Sequence, residues 1–313
     1  MKNTVSIIIV SHNNFNDTIA CINSILLSNY INYRITVVDI STNVSQENEL
    51  NKLIIDERIT DKDFFIWLKR ENKGYAFAAN EGIKSSSNNQ EISYYWILNN
   101  DTIILSNTLE QLLKKAESEV EVGIIGSKIL YHHDHSIINS VGGKFNPYTA
   151  WMYNIGLQEK DMSQYDNNNF KFNYVYGASL FVTKKFVETV GLMNENYFLY
   201  YEELDWAIRG LRNNFKISYC YPSVIYHKQG AATGNKARTK NENLFFKALQ
   251  YENLIKFYKL HYIKLIHVAY FKLMMTIFKR IIQLRFKEAI LIFKIILGRR
   301  VTIIEKKQLS LQH

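Results

Sequence analysis

Short β-branched runs alternate with stretches of helical period through the first 130 residues, and that rhythm restricts the architecture more than anything else in the chain. Residues 5–10, 35–39, 64–68 and 94–98 read as buried strands. Between them, residues 17–28, 46–55 and 75–85 carry apolar side chains at helical spacing, with Asp17 a candidate N-cap for the first helix. Parallel strands need a long crossover, usually a helix, so this spacing predicts an α/β fold with a mostly parallel sheet flanked by helices. Ligands of such sheets bind beyond the carboxyl ends of the strands.

Every predicted strand ends in small polar or acidic residues. Ser11, His12, Asn13 and Asn14 follow the first, and Asp39 closes the second. Glu71, Asn72, Lys73 and Gly74 follow the third, and Asn99, Asn100 and Asp101 the fourth. Turn-forming tendency explains any single end, but four of them together mark a ligand-binding rim. A helix entered through Asn72-Lys73-Gly74 offers free backbone N–H groups and Lys73 a positive charge, which suits a phosphorylated ligand. No G-x-G-x-x-G turn follows the first strand and no Walker A loop occurs, so dinucleotide oxidoreductases and P-loop enzymes are excluded.

Three further features carry chemistry. Asp101 sits at a strand end beside two asparagines, where a carboxylate either binds an oxygen-loving cation or caps a helix beginning near Ser106. Glu202, Glu203 and Asp205 cluster at a helix start, which favours the helix dipole and also suits a general base of raised pKa. His227 follows a strand-like run and is either structural or a neutral imidazole ligand.

Taken in order, these segments resemble the family 2 glycosyltransferases of GT-A fold, particularly the rhamnosyltransferase-like members that build bacterial surface polysaccharides. The matching segments are Val5 through Asn13, Val37-Val38-Asp39, Glu71 through Tyr75 with Asn80 and Gly82, and Leu98 through Thr102. A last group runs from Gly177-Ala178 through Gly191-Leu192, Phe198 to Asp205, Arg209 and Tyr226-His227. The resemblance implies that Asp39 contacts the nucleotide base and that Asn72, Lys73 and Gly74 lie beside the nucleotide, with Ser11, His12, Asn13 and Asn100 on the same donor rim. The family's D-x-D motif reads Asn99-Asn100-Asp101 here, which keeps the final metal-contacting acid and replaces the first. His227 matches a histidine that completes the metal site in relatives. The expected Glu-Asp pair reads Glu202-Glu203, which assigns the base to Glu203 with Glu202 and Asp205 as neighbouring alternatives.

The resemblance also implies a divalent cation, Mg2+ or Mn2+, a dTDP- or UDP-linked sugar donor with dTDP-rhamnose favoured, and a lipid-linked or oligosaccharide acceptor. A sugar nucleotidyltransferase shares a similar sheet but expects a glycine-rich, arginine-containing loop where Ser11-His12-Asn13-Asn14 stands. A catalytically inactive, membrane-associated nucleotide-sugar-binding module is the remaining alternative, motivated by Asn99 and Glu203.

The net charge of +9 is unevenly placed. Residues 244–313 hold 14 Lys/Arg against 3 Asp/Glu, so they carry +11, and residues 1–243 are left at −2. The expected division is a catalytic domain over 1–243 and a basic amphipathic helical tail over 244–313. Lys264, Lys272, Lys279, Lys287 and Lys294 recur along one drifting face, with Ile266, Tyr270, Phe271, Met274, Phe278, Ile282 and Phe286 among the apolar remainder. That pattern suits an in-plane helix on an anionic leaflet. The alternatives are a helical subdomain packed on the enzyme or an oligomerisation helix, and no nucleic-acid motif accompanies the charge. The N-terminal apolar run is too short for a signal segment, and Cys21 and Cys220 read as reduced structural thiols, so the expected location is the cytoplasmic face of a bacterial membrane. His132-His133-Asp134-His135 matches no zinc-finger or metalloprotease spacing and reads as a polar loop. Residues 144–173, rich in Asn and Tyr, are the expected acceptor-facing region.

Overall fold

A computed structural model of the chain describes residues 3–41, 61, 64–87, 89–167, 170–228 and 240–299. The anticipated helix over 46–55 lies outside them. The first half runs β1 (Thr4–Ser11), α1 (Phe15–Leu26), β2 (Tyr33–Asp39), β3 (Phe65–Lys69), α2 (Tyr75–Ser86), β4 (Ile92–Asn99), β5 (Thr102–Ile104) and α3 (Thr108–Ser118). There follow β6 (Val122–Tyr131), β7 (Asp134–Ser140), the hairpin β8 (Gly143–Asn146) and β9 (Trp151–Asn154), β10 (Ser179–Thr183) and α4 (Lys184–Val190). The remainder is α5 (Glu202–Arg212), β11 (Lys216–His227), α6 (Lys240–His261), α7 (Ile266–Ile282) and α8 (Phe286–Ile296).

The main sheet has the order β3-β2-β1-β4-β10-β6-β11-β5, with β7 paired to β6. Pairing is parallel across β3-β2-β1-β4 and between β6 and β11, while β10 enters antiparallel between β4 and β6. The chain winds outward from β1 to β3 and then returns to β4 on the other side of β1. The crevice of this switch opens at the carboxyl ends of β1 and β4, where Ser11 and Asn99 lie.

Each face of the sheet has its own apolar core. Ile7, Ile9, Trp96 and Leu98 meet α1 and α3 on one side, and Ile8, Val10, Ile97 and Leu180 meet α2, Phe186 and Trp206 on the other. Burying one such large side chain contributes about 1.5–3 kcal/mol, so both faces must stay covered. Gly82 lets α2 lie close on β1, because a Cβ there would stand 2.2 Å from Ile8 Cγ2.

Two boundaries differ from the sequence expectation. Helix α1 begins at Phe15, and its cap is Asn14, whose Oδ1 accepts the Asp17 N–H at 3.2 Å. Asp17 instead pairs with Lys228, so its carboxylate is engaged across the fold. The basic segment is also not one continuous in-plane helix. It breaks at Tyr262 and again at residues 283–285, where Leu284 takes a φ of 55°. Helix α6 joins a third core with Phe145, Tyr197, Tyr201 and Leu204, to which α7 and α8 add one side each. Lys272, expected to face lipid, is turned inward and donates to the Ala150 carbonyl.

Candidate functional site

The crevice is assembled from the strand ends upward. Ser11 and Asp39 are register partners at the ends of β1 and β2. Ser11 Oγ lies 2.8 Å from Thr18 Oγ1. Asp39 accepts the Ser41 N–H at 2.9 Å through one oxygen and pairs with Lys69 Nζ at 2.9 Å through the other. His12 and Asn13 border this corner, and Asn13 N–H donates to Ser41 Oγ at 2.7 Å. Asn100 is buried, and its Nδ2 donates to the Asn14 carbonyl at 3.1 Å and to Thr18 Oγ1 at 2.9 Å. Its amide therefore fastens the loop after β1 to the end of β4.

The Asn72–Gly74 turn behaves differently from the open N-terminus expected. Asn72 Oδ1 accepts the Gly74 N–H at 3.1 Å, and the Tyr75 N–H donates to the Phe198 carbonyl at 2.9 Å. Those two N–H groups are engaged within the chain, and Lys73 Nζ pairs with Glu71 at 3.4 Å. Gly74 is required sterically. Its φ is +102°, and a Cβ there would stand 2.2 Å from the Phe198 carbonyl oxygen.

Asp101 and His227 meet because β5 pairs antiparallel with β11, which sets His227 opposite Thr102. His227 Nε2 lies 3.1 Å from Asp101 Oδ1, and both residues are buried. The other ring nitrogen, Nδ1, lies 3.0 Å from Asn139 Oδ1. With Nδ1–H donating to Asn139, the Nε2 lone pair and the Asp101 carboxylate face one point, an arrangement suited to one cation or one shared proton. Burial opposes ionisation of Asp101, but the His227 ring and Lys228 outweigh it and hold its carboxyl below the ordinary range. Helix α3 starts at Thr108 behind Asn107, so Asp101 is not its cap. Among the described residues no group of three Asp, Glu, His or Cys forms. The pair still fits a hard divalent ion, which commonly takes one or two protein ligands and completes its shell with water and phosphate oxygens.

The second acidic centre opens α5. Burial raises the Glu203 carboxyl to about 7. Burial and the neighbouring Glu203 raise Glu202 well above its ordinary value, and Glu202 Oε2 has no hydrogen-bond partner. Gly177 stands against Glu203, since a Cβ there would lie 3.8 Å from the Glu203 carboxyl carbon. Asp205 is set apart from this pair. It accepts from Arg209 Nε at 2.8 Å and from His261 Nε2 at 2.6 Å. Those partners outweigh burial and hold its carboxyl below the ordinary range.

Two tyrosines connect the centres. Burial raises the Tyr75 hydroxyl, and Glu202, Glu203 and Asp101 all raise it further. Tyr176 is raised by burial and then by Glu203 and Asp101, and its ring meets His227 edge-on at 5.9 Å. The Tyr75 hydroxyl donates to the Gly177 carbonyl at 2.7 Å beside Glu203, so Tyr75, Tyr176 and Gly177 form the link between Glu203 and the Asp101–His227 pair.

The turn before α5 is strained. Tyr200 and Tyr201 take φ values of 73° and 78° in succession, a left-handed conformation that costs a non-glycine residue about 1–2 kcal/mol. Sequence reading overlooked Tyr176, Asn139 and Lys228. Lys228 follows His227 directly and could have been found from that adjacency, whereas Tyr176 and Asn139 carry no sequence signal. His132 lies in the β6–β7 connection and His135 at the start of β7, where it stacks on Tyr226 at 3.7 Å.

Comparison with known proteins bears on the family and the fold. The chain is 25% identical over 158 residues to the low-salt glycan biosynthesis hexosyltransferase Agl10 of Haloferax volcanii, covering 50% of each protein. The fold is shared with GalNAc-T7 bound to UDP, GalNAc and Mn2+, with a TM-score of 0.57 at 13% identity over 72% of this chain and 44% of that one. It is shared also with the mannosyltransferase PcManGT from Pyrobaculum calidifontis in complex with GDP-Man and Mn2+, with a TM-score of 0.55 at 11% identity. That alignment covers 98% of this chain and 80% of the other. The chain thus spans about half the length of the curated relative it matches. The profile of glycosyl transferase family 2 matches residues 6–174, more than half of the sequence, and the chain belongs to that family.

Proposed function

We propose that the chain transfers a sugar from a nucleotide-diphosphate donor to a hydroxyl group of a lipid-linked glycan, by one inverting displacement. The observation that carries this reading is that one short segment touches both acidic centres: the Gly177 carbonyl accepts from the Tyr75 hydroxyl at 2.7 Å and Gly177 stands against Glu203, while the ring of Tyr176, one residue earlier, meets His227 at 5.9 Å. Glu203 acts as the base, since a carboxyl near neutrality can accept the acceptor proton at physiological pH. Asp101 and His227 would hold Mg2+ or Mn2+, which supplies charge neutralisation for the departing diphosphate. Lys228, whose backbone N–H donates to the Asp101 carbonyl at 3.0 Å, adds positive charge at the same rim. Asp39, Ser11, His12, Asn13, Asn72, Lys73 and Gly74 border the nucleotide, and Asn100 shapes their loop. Asp205 anchors α5 and leaves the chemistry to Glu203, with Glu202 raised beside it by burial and by Glu203. The donor is dTDP- or UDP-linked, with rhamnose favoured by motif resemblance.

The basic helices supply the location. Phe271, Phe278 and Ile282 of α7 and Phe286, Ile290 and Phe293 of α8 are exposed at helical spacing. Lys264, Lys279, Lys287 and Lys294 remain exposed around them. Among the described residues no helix is long and apolar enough to cross a membrane. An apolar stripe rimmed by lysines fits the surface of an anionic bilayer at the cytoplasmic face.

A thermal-shift panel of nucleoside diphosphates and nucleotide-sugars, with and without Mg2+ or Mn2+, tests the activity. Stabilisation by one nucleotide-sugar in the presence of metal is expected, and indifference to all of them would sink the reading. Co-sedimentation with phosphatidylglycerol vesicles but not phosphatidylcholine vesicles is expected for the α7–α8 face. Equal recovery in both supernatants would refute it.

A further inference from the structure

We propose that Asn253, on α6, is a positioning residue of the transfer site, and that α6 completes that site from outside the family-matched segment. The inference rests on Glu203 acting as the base. Helix α5 begins at Glu202, so the direction of both carboxylates is inherited from the two residues before it. Those residues, Tyr200 and Tyr201, are left-handed in succession, and tyrosine has no intrinsic preference for that state. Something outside the turn must maintain it.

The fastening comes from one buried amide. Asn253 is 2% exposed, and its Nδ2 donates to the carbonyls of Leu199 and Tyr200, both at 2.9 Å. Both hydrogens of that amide are thereby used on consecutive carbonyls of the strained turn. Asn253 Oδ1 accepts from Lys256 Nζ at 3.4 Å, and Lys256 Nζ also donates to the Asn196 carbonyl. Around this point Phe245 meets Phe198 and Phe257 meets Tyr201. The Phe198 carbonyl accepts from Tyr75 on the opposite side, so the turn is pinned between the donor rim and α6. Losing the Asn253 bonds frees Tyr200 and Tyr201 to relax toward negative φ, which swings the first turn of α5 and moves Glu203. Among the described residues Asn253 itself bonds to Leu199, Tyr200 and Lys256, and it reaches the Gly74–Tyr75 turn only indirectly, through the Phe198 carbonyl, so its effect falls first on α5.

The test uses the full chain and two substitutions, Asn253→Ser, which keeps one donor, and Asn253→Ala, which keeps none. The probe is the nucleotide-sugar giving the largest thermal shift, followed by release of its nucleoside diphosphate. A displacement of a reacting group by about 1 Å can cost about a hundredfold in rate. The expected result is a graded fall in kcat, with Ser between Asn and Ala, while donor KM and nucleotide affinity stay unchanged. Wild-type kcat in a folded Asn253→Ala protein would overturn the proposal, as would parallel losses of kcat, nucleotide affinity and melting temperature in both variants. Glu203→Gln is run beside them. If it turns over like wild type, the base assignment itself fails, and the positioning role falls with it whatever Asn253 does.

Discussion

Two acidic centres flank the Tyr176–Gly177 segment, and their surroundings push them in opposite directions. Asp101 is buried against His227, with Lys228 close by, and its carboxyl stays below the ordinary range. Glu203 is buried beside another carboxylate, with Tyr75 and Tyr176 near, and is raised to about 7. Burial acts against the charged form in both places, so the difference is made by partners: the His227 ring and Lys228 beside Asp101, and no such partner for Glu203 among the described residues. A centre that stays anionic suits a cation and a phosphate, while one that exchanges a proton near neutrality suits a base. Asp205 sharpens the contrast, because it lies in the same helical turn as Glu203 yet is kept low by Arg209 and His261.

The comparison can be broken at several points. Glu203→Gln removes the proton acceptor while keeping its shape, and transfer should fall by about 10²–10⁴-fold with nucleotide binding intact. Rate and affinity measured on one preparation decide this, and substantial residual transfer would move the base elsewhere. Asp101→Ala should abolish the part of nucleotide affinity that depends on Mg2+ or Mn2+. Titration calorimetry with and without metal reads it, and equal affinities in wild type and variant would remove Asp101 from the cation site. Gly74→Ala forces a Cβ into the Phe198 carbonyl at an unfavourable φ and should cost at least about 1–3 kcal/mol, measured by denaturant unfolding.

The smallest expected effect is the pH dependence of stability. The fold favours the protonated form of Glu203, so its contribution is present below the ordinary glutamate value of 4.5 and is lost as pH rises through about 7. Asp101, shifted downward, contributes the opposite way: its stabilisation is present above the ordinary aspartate value of 3.8 and is lost as pH falls below it. The melting temperature of wild type should therefore decline between pH 5 and pH 8 more than that of Glu203→Gln. Parallel curves would show that Glu203 titrates like an exposed carboxyl.

The two ends of the basic segment offer a second comparison. Helix α6 turns its polar residues inward, with Asn253, Lys256, Tyr258 and His261 all bonded to the body. Helices α7 and α8 present an exposed apolar stripe outward. Periodicity and charge alone treated both as one amphipathic stretch, because an inward-facing polar residue and a solvated one look alike in sequence. Lys272 shows the difficulty: it belongs to the lysine series, yet it donates to Ala150 and burial lowers its pKa.

The strand–helix rhythm was legible because a buried parallel strand needs a continuous apolar run, and that requirement is written locally. The polar strand ends and the carboxylates at the start of α5 were legible for the same reason. Contacts across the chain were not. Asp101 and His227 stand 126 positions apart and meet only through the β5–β11 register. Asn14 caps the helix, with Asp17 already inside its first turn and paired with Lys228, 211 positions away.

The sequence by itself therefore determined the class of sheet, the rim where a ligand must sit, and the residue types available there. Only the tertiary structure decided which carboxylate keeps its charge, which one approaches neutrality, and which is spent on a structural ion pair. Local propensity depends on near neighbours in the chain, whereas a carboxyl's ionisation depends on burial and on charges a few ångströms away, wherever in the sequence they arise.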